Sequence, residues 1–219
     1  MFYDRHEAGR KLAREPDIEE LRGRADVVIL AIPRGGVVVG YEMAKFLQVP
    51  LDVIVVRKIG APGNPEFAVG AVGERGEIVI NPDVSETYAP SSPYIAGEAE
   101  RQKKEIVKRL QAFAELRPKL DLKDKEVVLV DDGIATGATM LAAIRVVRES
   151  KPRKVVLAVP VAPVASLRDL RREVDELICL ETPAMFFAVG QFYQVFEQTS
   201  DEEVKEYLKE INVKENSNR

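Results

Sequence analysis

The sequence predicts an α/β fold: a central, mostly parallel sheet flanked by helices. Short runs such as "DVVILAIP", "EVVLVDD" and "KVVLAVPVA" are apolar at nearly every position, as strands are when both sheet faces are covered. Each is followed by a stretch with apolar residues at helical spacing, the alternation that builds parallel sheets. With 219 residues, 46% of them hydrophobic, the chain can bury a sizeable core in one domain.

In chain order, "DRHEAGRKLA" starts a helix with a capping pair, Asp4 and Glu7, and leaves His6 on its surface. "DVVILAIP" (Asp26 to Pro33) is the first strand, "VVVGYEMAKFLQV" (Val37 to Val49) a helix, and "LDVIVVRKI" (Leu51 to Ile59) the second strand. The glycine- and proline-rich interval from Ile59 to Asn81 reads as a mobile loop feeding a short antiparallel hairpin around "GERGE". From Pro82 to Leu122 a Ser/Pro-rich loop precedes the charged helix "GEAERQKKEIVKRLQAFAEL", with Ile106, Leu110 and Phe113 on one face. That helix is either a cover for the core or a partner surface, its charge run a solvated face. "EVVLVDD" then leads into "ATMLAAIRVVRES", "KVVLAVPVA" into "VASLRDLRREVD", and the apolar "ELICLE" follows with Cys179 as a small buried hydrophobe. The tail "NVKENSNR" is expected to fray.

A formal net charge of -4 gives no general attraction for nucleic acid, and no helix-turn-helix or basic stripe is visible. The amino terminus is charged from its fourth residue and no apolar run approaches the ~18 residues of a membrane span. A cytoplasmic protein without membrane contact is expected. One cysteine and one histidine exclude an intramolecular disulfide and argue against structural zinc.

The chemistry is concentrated in "VVLVDDGIATGATM", Val127 to Met140. If "VVLV" is a central strand, Asp131 and Asp132 lie at the carboxyl edge of the sheet, where such sheets bind ligands. Adjacent carboxylates repel, so both stay ionised only beside donors such as a ribose 2,3-diol, or beside a cation. The following residues, Ala135, Thr136, Gly137, Ala138 and Thr139, combine accessible backbone N–H groups with hydroxyls at a helix start, a cradle for a phosphate. A helix cap alone would account for Thr136 or Asp132 singly, not for the whole arrangement.

With four apolar residues, two acids and Thr-Gly-x-Thr, this segment resembles the phosphoribosyl pyrophosphate (PRPP) signature of the type I phosphoribosyltransferases. The resemblance implies the type I phosphoribosyltransferase fold, with a flexible loop hairpin and a small hood. In "AIPRGG", Arg34, Gly35 and Gly36 occupy the place of the family's pyrophosphate loop; alone they would read as a salt bridge and a turn. Arg57 and Lys58 end the second strand, where relatives meet pyrophosphate, although solvated end charges would look the same. Ile59 to Gly76 corresponds to the family's catalytic loop and carries Glu66, an acceptor-side base or an exposed loop glutamate. "ETPAMFFAVGQFYQVF" corresponds to the hood over the acceptor, presenting Phe186, Phe187, Phe192 and Tyr193.

One phosphoribosyltransferase-like domain, 1–219, is thus expected: a core of about 24–180, an inserted helical segment of about 93–118, a hood of about 181–199 with the N-terminal helix, and a C-terminal helix and tail, 200–219. "FYDRHEAGRKLA", "AIPRGG", "VVRKIGAPGNPEFAVGAV", "VDDGIATGATM" and "FFAVGQFYQVF", in this order, resemble a bacterial and archaeal group with no assigned acceptor. Membership implies PRPP and Mg2+ as ligands, with Asp131 and Asp132 reaching the metal through water, a small-molecule acceptor and, by analogy, a homodimer. The competing classes are a non-catalytic PRPP-binding regulator and, third, a PRPP synthetase relative, whose ATP-binding equipment is not evident. In family enzymes for hypoxanthine and guanine the Ala135 position is aspartate and the hood carries a lysine, whereas Pro183 to Phe196 has none. Adenine-type relatives do carry alanine there, so the departure shifts the odds away from 6-oxopurines without excluding a base.

Overall fold

The computed structural model describes residues 1–74, 76–80, 91–111, 113–118 and 120–216; the side chains of 64–68, 92, 109 and 213–216 lie outside the description. Its main sheet holds five parallel strands in the order β2 (Leu51–Val53), β1 (Val27–Ala31), β6 (Glu126–Val130), β7 (Lys154–Val161) and β8 (Glu176–Glu181). Alternate residues face opposite sides. Val27, Ile29, Val128 and Val156 pack on one side with α3 (Gly35–Leu47), α1 (Arg5–Leu12) and α7 (Asp201–Asn216). Val28, Leu30, Leu129 and Leu157 pack on the other with α5 (Ala138–Glu149) and α6 (Val164–Leu170). Covering both faces is why the strand runs are continuously apolar.

Register positions the site. Ala31 of β1 lies opposite Val130 of β6, and the Ile32 N–H still bonds Val130 O at 2.9 Å. The "PRGG" and "DDGIATGAT" loops therefore leave the sheet side by side at its carboxyl edge.

The expected second strand is divided. β2 stops at Val53, and Arg57 and Lys58 begin, rather than end, a strand: β3 (Arg57–Ala61), of an antiparallel sheet with β4 (Asn64–Val72) and β5 (Ile78–Ile80). Most of the interval expected as a mobile loop is this hairpin. Its turn uses Gly63 at φ +76°, while β4 and β5 pair antiparallel on either side of "GERGE" as predicted, Arg75 of that segment lying outside the described residues. Burial of Ile59, Val69 and Val72 against Ala99 and Ile106 of α4 (Ser92–Gln111) supplies the order. Arg117 adds a polar clamp, bonding both Asp52 oxygens at 2.6 and 3.0 Å and both Glu74 oxygens at 2.9 Å. Ile106→Ala should therefore lose about 3 kcal/mol, the scale for deleting a buried aliphatic side chain, seen as a lower urea midpoint at unchanged m.

Other local expectations are revised by tertiary contacts. The Asp4 side chain caps α1 through the Glu7 N–H, but His6 is half-buried, bonded to Glu42 at 2.8 Å and Tyr207 at 3.2 Å. Cys179 is half-buried, its thiol pushed up to about 11 by desolvation. Of the anticipated face of the charged helix, Ile106 and Leu110 lie on α4, whereas Phe113 follows its end and enters the main core. Residues 212–216 of the tail expected to fray continue α7, where the Asn212 amide donates to Leu51 O and Leu116 O; 217–219 lie outside the described residues.

Candidate active site

Beyond β6 the Asp132 N–H donates to Asp131 Oδ1 at 2.8 Å. The Pro33–Arg34 peptide is cis, and Arg34 stands at the N-cap position of α3 without a side-chain cap bond. A Cβ at Gly36 would lie 2.9 Å from Asp131 Cα and Oδ1 and 3.0 Å from Val130 O, and one at Gly35 would collide with the Asp132 carboxylate. Both glycines are thus required by close approach rather than by turn geometry. Gly36→Ala should cost about 1–3 kcal/mol through overpacking against backbone; a urea midpoint equal to wild type would contradict that.

Desolvation beneath this loop, then the charge of Asp132, holds the Asp131 carboxyl well above the usual carboxylate range. Asp132 has different neighbours. Arg5 Nε lies 2.6 Å from its Oδ2, both side chains largely buried, and the Tyr193 hydroxyl donates to Asp132 O at 2.5 Å. Burial and the neighbouring Asp132 raise the Tyr193 phenol, keeping it a donor.

The cradle follows. Gly137, at φ +80°, is the N-cap of α5, a backbone conformation that favours glycine. Ala135 O accepts from Ser166 Oγ at 2.6 Å, tying the loop to α6. Ala135, Thr136, Ala138 and Thr139 are exposed, so their polar groups are accessible.

A cavity of about 670 Å³ brings together Arg34, Gly35, Arg57, Lys58, Asp131, Asp132, Thr136, Ala138 and Thr139. Gly36 underlies the acids instead of lining it, and Ala135 and Gly137 shape the cradle behind Thr136. The aromatics expected in a hood are not among the lining residues: Phe186 stacks on Phe192 at 5.2 Å, Phe187 is 86% exposed, and Tyr193 is buried. The side chain of Glu66 lies outside the described residues, though its backbone belongs to β4.

Three contributions are not predicted from the sequence. Arg5 arrives from 127 positions away, stacks 3.7 Å over Phe196 and donates to Glu197 O. Ser166 braces the cradle. From α4 come Tyr94, Glu98, Arg101 and Gln102, which line the cavity; their helical spacing, on the face beside that of Ile95 and Ala99, is the signal that could have revealed them.

A five-stranded parallel sheet with an acid pair and a helix-opening loop at its carboxyl edge defines an α/β protein with its cleft at the strand ends, the place where such sheets bind ligands. The chain belongs to the phosphoribosyl transferase domain family, whose pattern it matches over residues 4–196. It is 47% identical over 208 residues to the Mycobacterium tuberculosis H37Rv protein named "Putative phosphoribosyl transferase Rv0571c", and equally to its CDC 1551 counterpart, MT0597. Each alignment covers 95% of this chain and 46% of the relative, so the chain spans about half the length of these curated relatives. The crystal structure of TT1426 from Thermus thermophilus superimposes with a TM-score of 0.87 at 47% identity, covering 95% of this chain and 98% of that one. The fold is the type I phosphoribosyltransferase fold.

Proposed function

We propose that the protein transfers the 5-phosphoribosyl group of PRPP to a nitrogenous small-molecule acceptor, releasing pyrophosphate, as a cytoplasmic enzyme of nucleotide metabolism. The observation that carries this reading is the convergence on one cavity of Asp131 and Asp132, the cradle threonines, and three cations from two separate segments, Arg34 on one and Arg57 and Lys58 on the other. Asp131 and Asp132 would receive the ribose hydroxyls, residues 135–139 the 5-phosphate, and the cations the leaving pyrophosphate. Positive charge builds at the anomeric carbon as pyrophosphate departs, so fixed charges and orientation carry most of the catalysis. Glu66 is retained as a candidate base on the acceptor side, and Phe186, Phe187, Phe192 and Tyr193 as candidate hood contacts. A homodimer is proposed by family analogy.

The donor set suits magnesium: among the described residues no group of three or more metal-binding side chains gathers, but this ion commonly takes one or two carboxylates and completes its shell with water and substrate phosphates. Asp131 and Asp132 would hold it through water, and when bound it would supply neutralisation of pyrophosphate charge.

The test is incubation with PRPP, magnesium and a panel of nucleobases and small amines, reading pyrophosphate release and product mass. Pyrophosphate release with a new nucleotide supports the transferase; saturable PRPP binding without release for any acceptor favours a regulator.

A further inference from the structure

α4 carries more than a solvated face. Positions 94, 98, 101 and 102 share one side of the helix, and all four residues line the cavity, while Ile95, Ala99 and Ile106 pack towards the hairpin. The polar side is tied to β3 at two separate points, Gly60 and Arg57. The Tyr94 hydroxyl donates to Gly60 O at 2.9 Å. Glu98 accepts from Arg101 Nε and Nη2 at 2.8 and 2.6 Å and from the Gln102 amide at 2.8 Å. Gln102 Oε1 in turn accepts from Arg57 Nε at 3.2 Å. The amide is engaged at both ends, its nitrogen towards a carboxylate and its oxygen towards a guanidinium, which orients the amide and gives Arg57 a directed partner.

Arg101 thus joins Arg34, Arg57 and Lys58 in the cavity wall. Its partner Glu98 is one turn away on the same helix, and the Arg101 side chain is 69% exposed. Exposed pairs of this kind are weak, whereas a phosphate offers a guanidinium two parallel charge-assisted bonds. Glu98 also offsets the mutual repulsion of the cations when no anion is present.

We propose that α4 completes the pyrophosphate half of the site: Arg101 exchanges Glu98 for a pyrophosphate oxygen, and Gln102 is the positioning residue that aims Arg57 at the same group. This inference rests on the PRPP reading above.

Calorimetric titration with magnesium pyrophosphate and, separately, with ribose 5-phosphate tests it on wild type, Arg101→Gln, Arg101→Lys and Gln102→Leu. Arg101→Gln and Gln102→Leu should each weaken pyrophosphate about tenfold, the effect of one hydrogen bond to a charged group, with ribose 5-phosphate affinity unchanged. Arg101→Lys should recover part of the loss, because it restores the charge without the fork. Pyrophosphate affinities equal to wild type overturn the inference, as do equal losses for both ligands, which mark α4 as packing alone. If wild type binds neither ligand, the PRPP reading falls and the inference with it; normal wild-type binding with silent variants removes only the inference.

Discussion

PRPP with magnesium is expected to raise Tm, and replacing both Asp131 and Asp132 by alanine is expected to abolish most of that shift. A ligand bound only by the folded state contributes about 2.7 kcal/mol at a hundredfold excess over its dissociation constant. For a chain of this size that raises Tm by roughly 5–10 °C. The unliganded variant should still fold, because the close pair of carboxylates is not a source of stability. The Asp131 carboxyl is raised by desolvation and by Asp132. A carboxylate whose folded pKa exceeds its unfolded value destabilises the fold increasingly as pH rises above the unfolded value, so removing it at neutral pH relieves that penalty. Against this stands the loss of Asp132 as partner of Arg5. The apo Tm should therefore change by less than the ligand shift. Differential scanning fluorimetry with and without PRPP and magnesium decides it: a ligand shift in the double variant equal to wild type removes the ribose assignment.

The legible parts of the sequence were those whose meaning is local. "VVLVDD" announces a doubly covered strand ending in two acids because periodicity and termination are written in adjacent residues, and β6 stops one residue before Asp131. The "GERGE" turn and the Asp4 cap are likewise matters of a few neighbouring side chains. What escaped depends on distant partners. "LDVIVVRKI" is continuous in hydrophobicity, yet the chain passes between sheets within it: Ile54 and Val56 pack with the main sheet, Val55 and Ile59 with the hairpin. Glycine and proline between 59 and 76 suggested an open loop; nothing local reveals that Arg117, beyond α4, would clamp Glu74 to Asp52. Arg5 is one charge in a charged helix until the Phe2–Tyr193 bridge brings the amino terminus against the segment proposed as a hood.

That same bridge bears on the acceptor. Phe2 N–H donates to Phe192 O, Gln194 N–H to Phe2 O and Val195 N–H to Tyr3 O. The amino terminus and the segment proposed as a hood thus form one small unit, with Tyr193 and Arg5 both bonded to Asp132. Whatever binds beside Asp132 is therefore subject to this unit as well as to the cavity walls.

Hypoxanthine, guanine and xanthine are accordingly expected to be poor acceptors. An acceptor nitrogen that attacks the ribose must shed a proton, and a side chain at the Ala135 position cannot take it: a methyl group has no basicity, and the Ala135 carbonyl already accepts from Ser166. Reading a 6-oxo group calls for a directed donor. Pro183 to Phe196 contains no lysine or arginine, and the Tyr193 hydroxyl is committed to Asp132 O. Arg5, the cation brought to this side, is held by Asp132, by Glu197 O and by the face of Phe196. An apolar hood can stack a flat ring, but burying an unmatched carbonyl there would cost a hydrogen bond that water otherwise supplies. The true acceptor then either loses its proton without help at Ala135 or uses a group on the hairpin such as Glu66. Steady-state assays with the three purines, saturating PRPP and magnesium discriminate: turnover near the common enzyme value of ~10 per second with any of them defeats the argument, whereas rates at the detection limit with all three, alongside measurable PRPP binding, uphold it.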